Sequence, residues 1–254
     1  MKTLAWCAVA ALAVIGAASA ITRTIAVTRV LGGAPVAELS PGDLENQRQL
    51  AALFGVEEGS EHYRVIDRDM RDASAKYNSH PVAMLLHVVP GGIFLLAAPL
   101  QLSAWLRRRY AVVHRSLGYV LLLLAIPFAF TGLYIAVRDP FFGPVGATAA
   151  VIAGVLFIHA GVRAYLAIKA GDRNSHRTWM LRFLALAYGI AVIRALSMIV
   201  MALFPVGPRA LGPPVFWVGW LLSVLLAEWW IRRSSSPSSA IGPSRTGRVR
   251  PALS

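Results

Sequence analysis

Six apolar runs, each close to the roughly 20 residues that a helix needs to cross a bilayer core, decide what this chain can become. They are AWCAVAALAVIGAASAI, HPVAMLLHVVPGGIFLLAAPLQLSAWL, SLGYVLLLLAIPFAFTGLYIAV, GATAAVIAGVLFIHAGVRAYLAI, TWMLRFLALAYGIAVIRALSMIVMALF and PPVFWVGWLLSVLLAEWWI. In lipid every backbone amide must be satisfied within the protein, so such runs become helices. The expected fold class is therefore all-α: a polytopic bundle of six transmembrane helices, or five if residues 1–20 are a cleaved signal peptide. Met-Lys, an apolar stretch and the small residues AASA suit either a retained anchor or a signal peptide. Composition agrees: of 254 residues, 57% are hydrophobic and only 15% charged, and a soluble domain carries nearer ~25%.

The expected organisation is a first span at 1–21, an extracytoplasmic cap at 22–79, a five-helix membrane domain at 80–232 and a disordered tail at 233–254. In the cap, LSPGDLENQRQLAALFGV and EHYRVIDRDMRDASAKY read as two short helices, with Ser40 or Asp43 able to cap the first. The tail is rich in Ser, Pro and Arg and has no apolar material to pack.

The net charge of +13 belongs to topology, not to a nucleic-acid partner. Arg107, Arg108, Arg109 and Arg115 lie between spans two and three, and Lys169, Arg173, Arg177 and Arg182 lie around the connection of spans four and five. Arg232, Arg233, Arg245, Arg248 and Arg250 follow span six. The alternate loops are nearly neutral, so the positive-inside bias predicts an inner-membrane protein with both termini cytoplasmic when the first span is kept. The expected partners are membrane lipids, drawn to the basic face; a redox partner and a homo-oligomer both stay open. A single cysteine, Cys7, excludes an internal disulfide and a cysteine-based metal cluster. No H-E-x-x-H or G-x-S-x-G element occurs, which argues against a hydrolase.

Polar residues on the spans carry what chemistry there is. His80 and His87 are seven residues apart, within about 20° of one helical face, and Gln101 lies near the same line. Pro90, Gly91 and Gly92 suit a bend or a close approach by a neighbouring helix or a ligand. His114 and His176 each open an His-Arg pair at the basic end of a span, His159 sits mid-span above Arg163, and Arg194 lies five turns beyond His176. Intramembrane arginine is costly, so Arg163 and Arg194 should face the interior or a wet space, with a partner other than an intramembrane carboxylate. The only acid within a span is Glu228.

YNSHPVAMLLHVVPGGIFLLAAPLQL, RRRYAVVHRSLGYV and NSHRTWMLRFLALAYGIAVIRAL together resemble the bacterial membrane-protein family catalogued as domain of unknown function 2306, over roughly residues 77–200. The resemblance implies a multi-helix bundle and no established activity. It points to His87, His114, Arg115, Gly118, His176, Arg177, Trp179, Met180, Arg182 and Arg194. His159 falls outside the shared elements, and AAPLQL stands where that family more often has GPLQF.

One histidine on each of four successive spans is an arrangement similar to that of diheme transmembrane cytochromes b. The expectation is haem b for electron transfer, with iron held by His114 and His176 on the inner side. His87 and His159 would form an outer pair, and Arg182 and Arg194 would face propionates. His159 lies several ångströms too deep for His87. Three alternatives remain: His-Arg pairs that only meet lipid phosphate, a proton, anion or small-molecule transporter, and a non-catalytic assembly subunit.

Overall fold

The computed structural model describes residues 2–235, apart from 37, 38, 40, 54 and 205. The tail expected at 233–254 therefore lies almost wholly outside the described residues, as does the Ser40 cap. Among the described residues nine helices run in chain order: α1 (Lys2–Leu31), α2 (Pro41–Leu53), α3 (Glu61–Asn78), α4 (Pro81–Leu102), α5 (Ala104–Arg109), α6 (Ala111–Arg138), α7 (Gly143–Lys169), α8 (Arg173–Leu203) and α9 (Pro208–Ser235). Six of them, α1, α4, α6, α7, α8 and α9, are long and apolar enough to span a membrane.

The boundaries depart from the sequence reading in two places. α1 continues to Leu31, so the chain enters the cap later than residue 22. The second span ends at Leu102, because the Ser103 side chain turns the chain by accepting a hydrogen bond from Leu106 N (3.2 Å) and starts α5. α5 carries Trp105, Arg107, Arg108 and Arg109, side chains suited to a membrane interface.

α1, α4, α6, α7 and α8 pack in sequence around a ring, which closes where α1 meets α8, and α9 lies against the outside of α8 and α7. Each ring helix presents a stripe of residues three or four apart to the interior. On α4 the stripe is His87, Gly91, Phe94, Ala98 and Gln101; on α6 it is His114, Gly118, Leu121, Ala125, Phe128 and Gly132; on α8 it runs from His176 through Phe183 and Ala187 to Arg194. Large aliphatic side chains on the opposite faces, such as Leu96, Leu123, Leu166 and Leu221, are exposed, as a lipid-facing surface requires.

Four phenylalanines fill the middle of the ring. Phe157 stacks on Phe183 with centroids 4.3 Å apart, Phe94 meets Phe183 edge-on at 5.4 Å, and Phe128 meets Phe157 edge-on at 5.5 Å. Phe94 and Phe183 are fully buried. Tyr188 on α8 donates to Leu95 O on α4 (2.6 Å), tying opposite walls together beside this plug.

Gly91 and Gly92 prove to be packing positions. A methyl group on Gly91 would come 2.8 Å from the Phe128 ring, and one on Gly92 would come 2.7 Å from Ala20 on α1. Helices α6 and α1 approach α4 on these two sides because no Cβ stands in the way.

α3 lies over the end of the ring opposite the arginine-rich loops. Its buried Asp69 accepts from the backbone N–H of Arg209 at the start of α9 (2.9 Å), and Asp72 accepts from the Arg209 guanidinium (2.8 Å). A carboxylate at a helix N-terminus is held by the unpaired amides there. The two ends of the bundle are thus a cap end and a basic end.

Candidate functional site

The interior stripes carry polar groups only at their ends, so the phenylalanine plug separates two polar cups. At the basic end, His114 and His176 each stand three residues into their helices, α6 and α8, and so lie at one level. They are close enough for His176 and Arg107 to act electrostatically on His114. His176 Nδ1 bonds Ala164 O on α7 (2.9 Å). An imidazole whose Nδ1–H is given to a backbone carbonyl presents Nε2 as its free lone pair, the arrangement found at ligating histidines. His114 Nδ1 is buried and has no partner among the described residues. Gln101 donates to His114 O (3.1 Å), fixing the start of α6 against the end of α4. Helices α6 and α8 scarcely touch each other.

His159 is not part of either cup. It lies two residues past the buried Phe157, on the exposed side of α7, and its ring meets Trp179 edge-on at 5.3 Å. His87 is six residues from the cap end of α4, while His159 is sixteen from the cap end of α7, a difference of about 15 Å in depth. His87 and His159 are thus not brought together as an axial pair.

His87 is fixed on α6 instead. Its Nδ1 bonds Phe128 O (2.8 Å), its ring stacks on Phe128 at 4.8 Å, and it occupies the space that a Cβ on Gly132 would fill.

Arg182 and Arg163 are accounted for by neighbours. Arg182 makes a two-point ion pair with Glu228 of α9, Nε to Oε1 at 2.6 Å and Nη2 to Oε2 at 3.2 Å. Its guanidinium also covers Trp179 at 4.6 Å, and Arg163 faces the same ring at 5.3 Å. The sequence held a signal for this pair, since Glu228 is the only acid within a span.

Arg194 belongs to the cap-end cup. Eleven residues separate it from Phe183, within about 20° of the same face, so it stands above the plug. Groups from four other elements act on it or feel its charge: Arg23 of α1, Asp43 of α2, Tyr77 of α3 and His87 of α4. It makes no hydrogen bond or ion pair among the described residues. Arg194 is an exposed residue of α8. Arg23 reaches Ser74 Oγ at 3.5 Å, a weak bond, and lies 5.9 Å from the Tyr77 ring centre. Burial holds the Tyr77 hydroxyl above the usual phenol range, against the pull of Arg194 and Arg23, so it stays protonated.

With both cups described, the comparisons can be set beside them. Residues 84–231, more than half of the chain, match the family described as "Predicted membrane protein (DUF2306)". The chain belongs to the DUF2306 family. The match runs from just inside the start of α4 to nearly the end of α9, so it covers the stripes of α4, α6, α7 and α8 and excludes α1 and α3. Arg23 and Tyr77 thus come from outside the DUF2306 region, and His87, His114, His176 and Arg194 from within it. No curated protein and no solved structure matches the chain.

Proposed function

We propose that this DUF2306 protein binds haem b at its basic end, where His114 and His176 would hold the iron. We further propose that it sits in the inner membrane with both termini cytoplasmic. The observation that supports haem is that two imidazoles stand at one level on the inward stripes of α6 and α8, near enough for His176 to act electrostatically on His114. His176 has its Nδ1 committed to Ala164 O, and His114 has a buried nitrogen without a partner among the described residues. Two imidazoles are a donor set suited to haem iron, and neutral nitrogen ligands buried without a partner are costly unless something binds them.

The chain's own residues divide the work. Ala164 O fixes the His176 tautomer and ring plane, and Gln101 holds the backbone of His114. Arg107, which acts on His114, is the cation suited to a propionate there; Arg182 is engaged by Glu228, and Arg194 stands at the opposite end. A bound haem would supply one-electron exchange between ferric and ferrous iron. The support does not extend to a second haem, because His87 and His159 differ in depth and face different neighbours.

The orientation rests on the arginines that flank α5, the α7–α8 connection and the end of α9. A fluorescent protein fused after the last residue is expected to fluoresce, and a periplasm-dependent phosphatase at the same place to be inactive; the reverse pattern overturns this orientation.

The haem reading is tested by absorption spectra of detergent-purified protein from haem-replete cells, oxidised and then reduced with dithionite. A Soret band and a sharp reduced α-band are expected, lost in His114→Ala and in His176→Ala and kept in His159→Ala. Colourless wild-type protein overturns the proposal.

A further inference from the structure

The half of α7 nearer the basic end has two unlike faces. Phe157, Ala160, Gly161 and Ala164 are buried, while Leu156, His159, Val162, Arg163 and Leu166 are exposed. The exposed face is apolar except at His159 and Arg163, which are four residues apart and so stand one above the other. Both meet one ring on the neighbouring helix, Trp179 of α8. The Arg163 guanidinium carbon lies 5.3 Å from the centre of that ring, and the His159 ring stands edge-on to it with centroids 5.3 Å apart. The three side chains form one cluster on the seam between α7 and α8, and it shares no residue with the proposed haem ligands.

The depth of the cluster follows from helix length. The 27 residues of α7 span about 40 Å at ~1.5 Å each, which matches the hydrocarbon core with both headgroup layers. Arg163 is six residues from the end of α7 at Lys169, and Trp179 is six from the start of α8 at Arg173. Both backbones thus lie about 9 Å in from the basic end, near the boundary between headgroups and acyl chains. His159 lies one turn deeper.

Trp179 gives Arg163 a neighbour but no counter-charge. Arg182, whose guanidinium covers the same ring at 4.6 Å, is neutralised by its two bonds to Glu228. Asp172, the acid nearest to Arg163 along the chain, accepts from the N–H groups of Asn174 and Ser175. Among the described residues the side chains of Arg163 and His159 make no hydrogen bond or ion pair. An unpaired cation at this level is costly, and an anion with oxygen acceptors offsets the cost. A guanidinium held against an aromatic ring keeps N–H donors free, and its planar fork fits phosphate oxygens two at a time. The apolar surroundings select a lipid phosphate over a free one, which would have to leave water to reach this face.

We infer that Arg163, His159 and Trp179 form a headgroup site for an anionic phospholipid of the leaflet at the basic end. The phosphate pairs with Arg163 beside Trp179, and His159 offers an imidazole N–H one turn deeper, toward the glycerol ester oxygens. The acyl chains lie on the exposed Leu156, Val162 and Leu166.

The test is the thermal unfolding midpoint of the full chain in mixed micelles of detergent and phosphatidylglycerol, each variant being compared with itself in phosphatidylcholine. In a separate arm inorganic phosphate is titrated into detergent alone. The wild type is expected to gain several degrees from phosphatidylglycerol and nothing from inorganic phosphate. Arg163→Gln is expected to lose most of the gain, and Arg163→Lys and His159→Ala to keep part of it. An Arg108→Gln, Arg109→Gln double variant, altered in α5, is expected to keep it whole. If Arg163→Gln does not survive purification, His159→Ala carries the same test from its own position. No gain for the wild type, an undiminished gain in the α7 variants, or a loss in the α5 variant as large as that in Arg163→Gln overturns the site. A gain from inorganic phosphate overturns the lipid as its occupant. His159→Ala is expected to keep its haem bands while its lipid response falls, so the two proposals fail separately.

Discussion

Arg182 on α8 and Glu228 on α9 meet through two hydrogen bonds, at 2.6 Å and 3.2 Å, with each side chain about a quarter to a third exposed. Geometry of this kind is among the stronger charge pairings, because the planar fork fits the carboxylate. It is also the connection that ties α9, which lies outside the ring, to the ring itself near the basic end. Glu228→Gln leaves Arg182 without its counter-charge, and partial exposure softens the loss from the full value for a buried pair. A destabilisation of about 2 kcal/mol is expected, measured by thermal or denaturant unfolding in detergent. The Arg182→Glu, Glu228→Arg exchange should recover part of it. If Glu228→Gln unfolds like the wild type, the pair contributes nothing to holding α9.

Gly132 leaves room for His87. A Cβ there would lie 2.7 Å from His87 Cε1 and 3.0 Å from Nδ1, closer than real contacts allow. Gly132→Ala must therefore push the imidazole away from Phe128 O and off its stack. A cost of roughly 1–3 kcal/mol is expected, as for other overpacked interiors, and His87→Ala should relieve it in the double variant. Additive effects in that double-mutant cycle would show that the two positions do not share this space.

How much of this was legible in the sequence follows from the same residues. The spans were, because length and apolarity alone decide them. The level of His114 and His176 was also legible, since both open spans that run in the same direction. The helix period even carried the link from His176 to Arg194. What the period cannot tell is which face of a nearly uniformly apolar helix turns inward. The sequence therefore kept His159 as a candidate ligand, although depth and motif already set it apart, while packing turned α7 so that Phe157 and Ala164 face the interior and His159 does not. The closure of the ring was hidden for another reason: it depends on α1 continuing past residue 21 and meeting α8, a contact between segments about 170 residues apart.

Asp172 caps α8 by accepting from the backbone N–H groups of Ser175 (2.9 Å) and Asn174 (3.1 Å). The Ser175 bond is the main reason its carboxyl sits below the usual carboxylate range. A depressed folded-state value means the cap contributes stability above the unfolded value, near ~3.9, and loses it as pH falls through the folded one. The thermal midpoint of Asp172→Ala should therefore fall below that of the wild type at about pH 6–7, and the difference should shrink as pH drops below about 4. A difference that does not change with pH would mean that the carboxylate charge plays no part in the cap.

Phe94 is the centre of the plug, fully buried and in ring contact with Phe128, Phe157 and Phe183. In water-soluble cores Phe→Ala costs ~3–5 kcal/mol, part of it for exposing the ring to water on unfolding. Within a bilayer that part falls away, because the separated helix meets acyl chains as apolar as the core. The packing part remains: at ~24 cal/mol per Å3, a void of ~100 Å3 costs about 2 kcal/mol. Leu96 is two residues away on the lipid-facing side and 53% exposed, so Leu96→Ala leaves no void. Phe94→Ala is expected to destabilise the detergent-solubilised protein by about 2 kcal/mol, and Leu96→Ala by less than about 0.5 kcal/mol. The same void would join the two polar cups, so water should reach the bundle middle and raise hydrogen exchange at the plug in Phe94→Ala alone. Equal effects of the two substitutions would mean that the ring interior is not packed around Phe94.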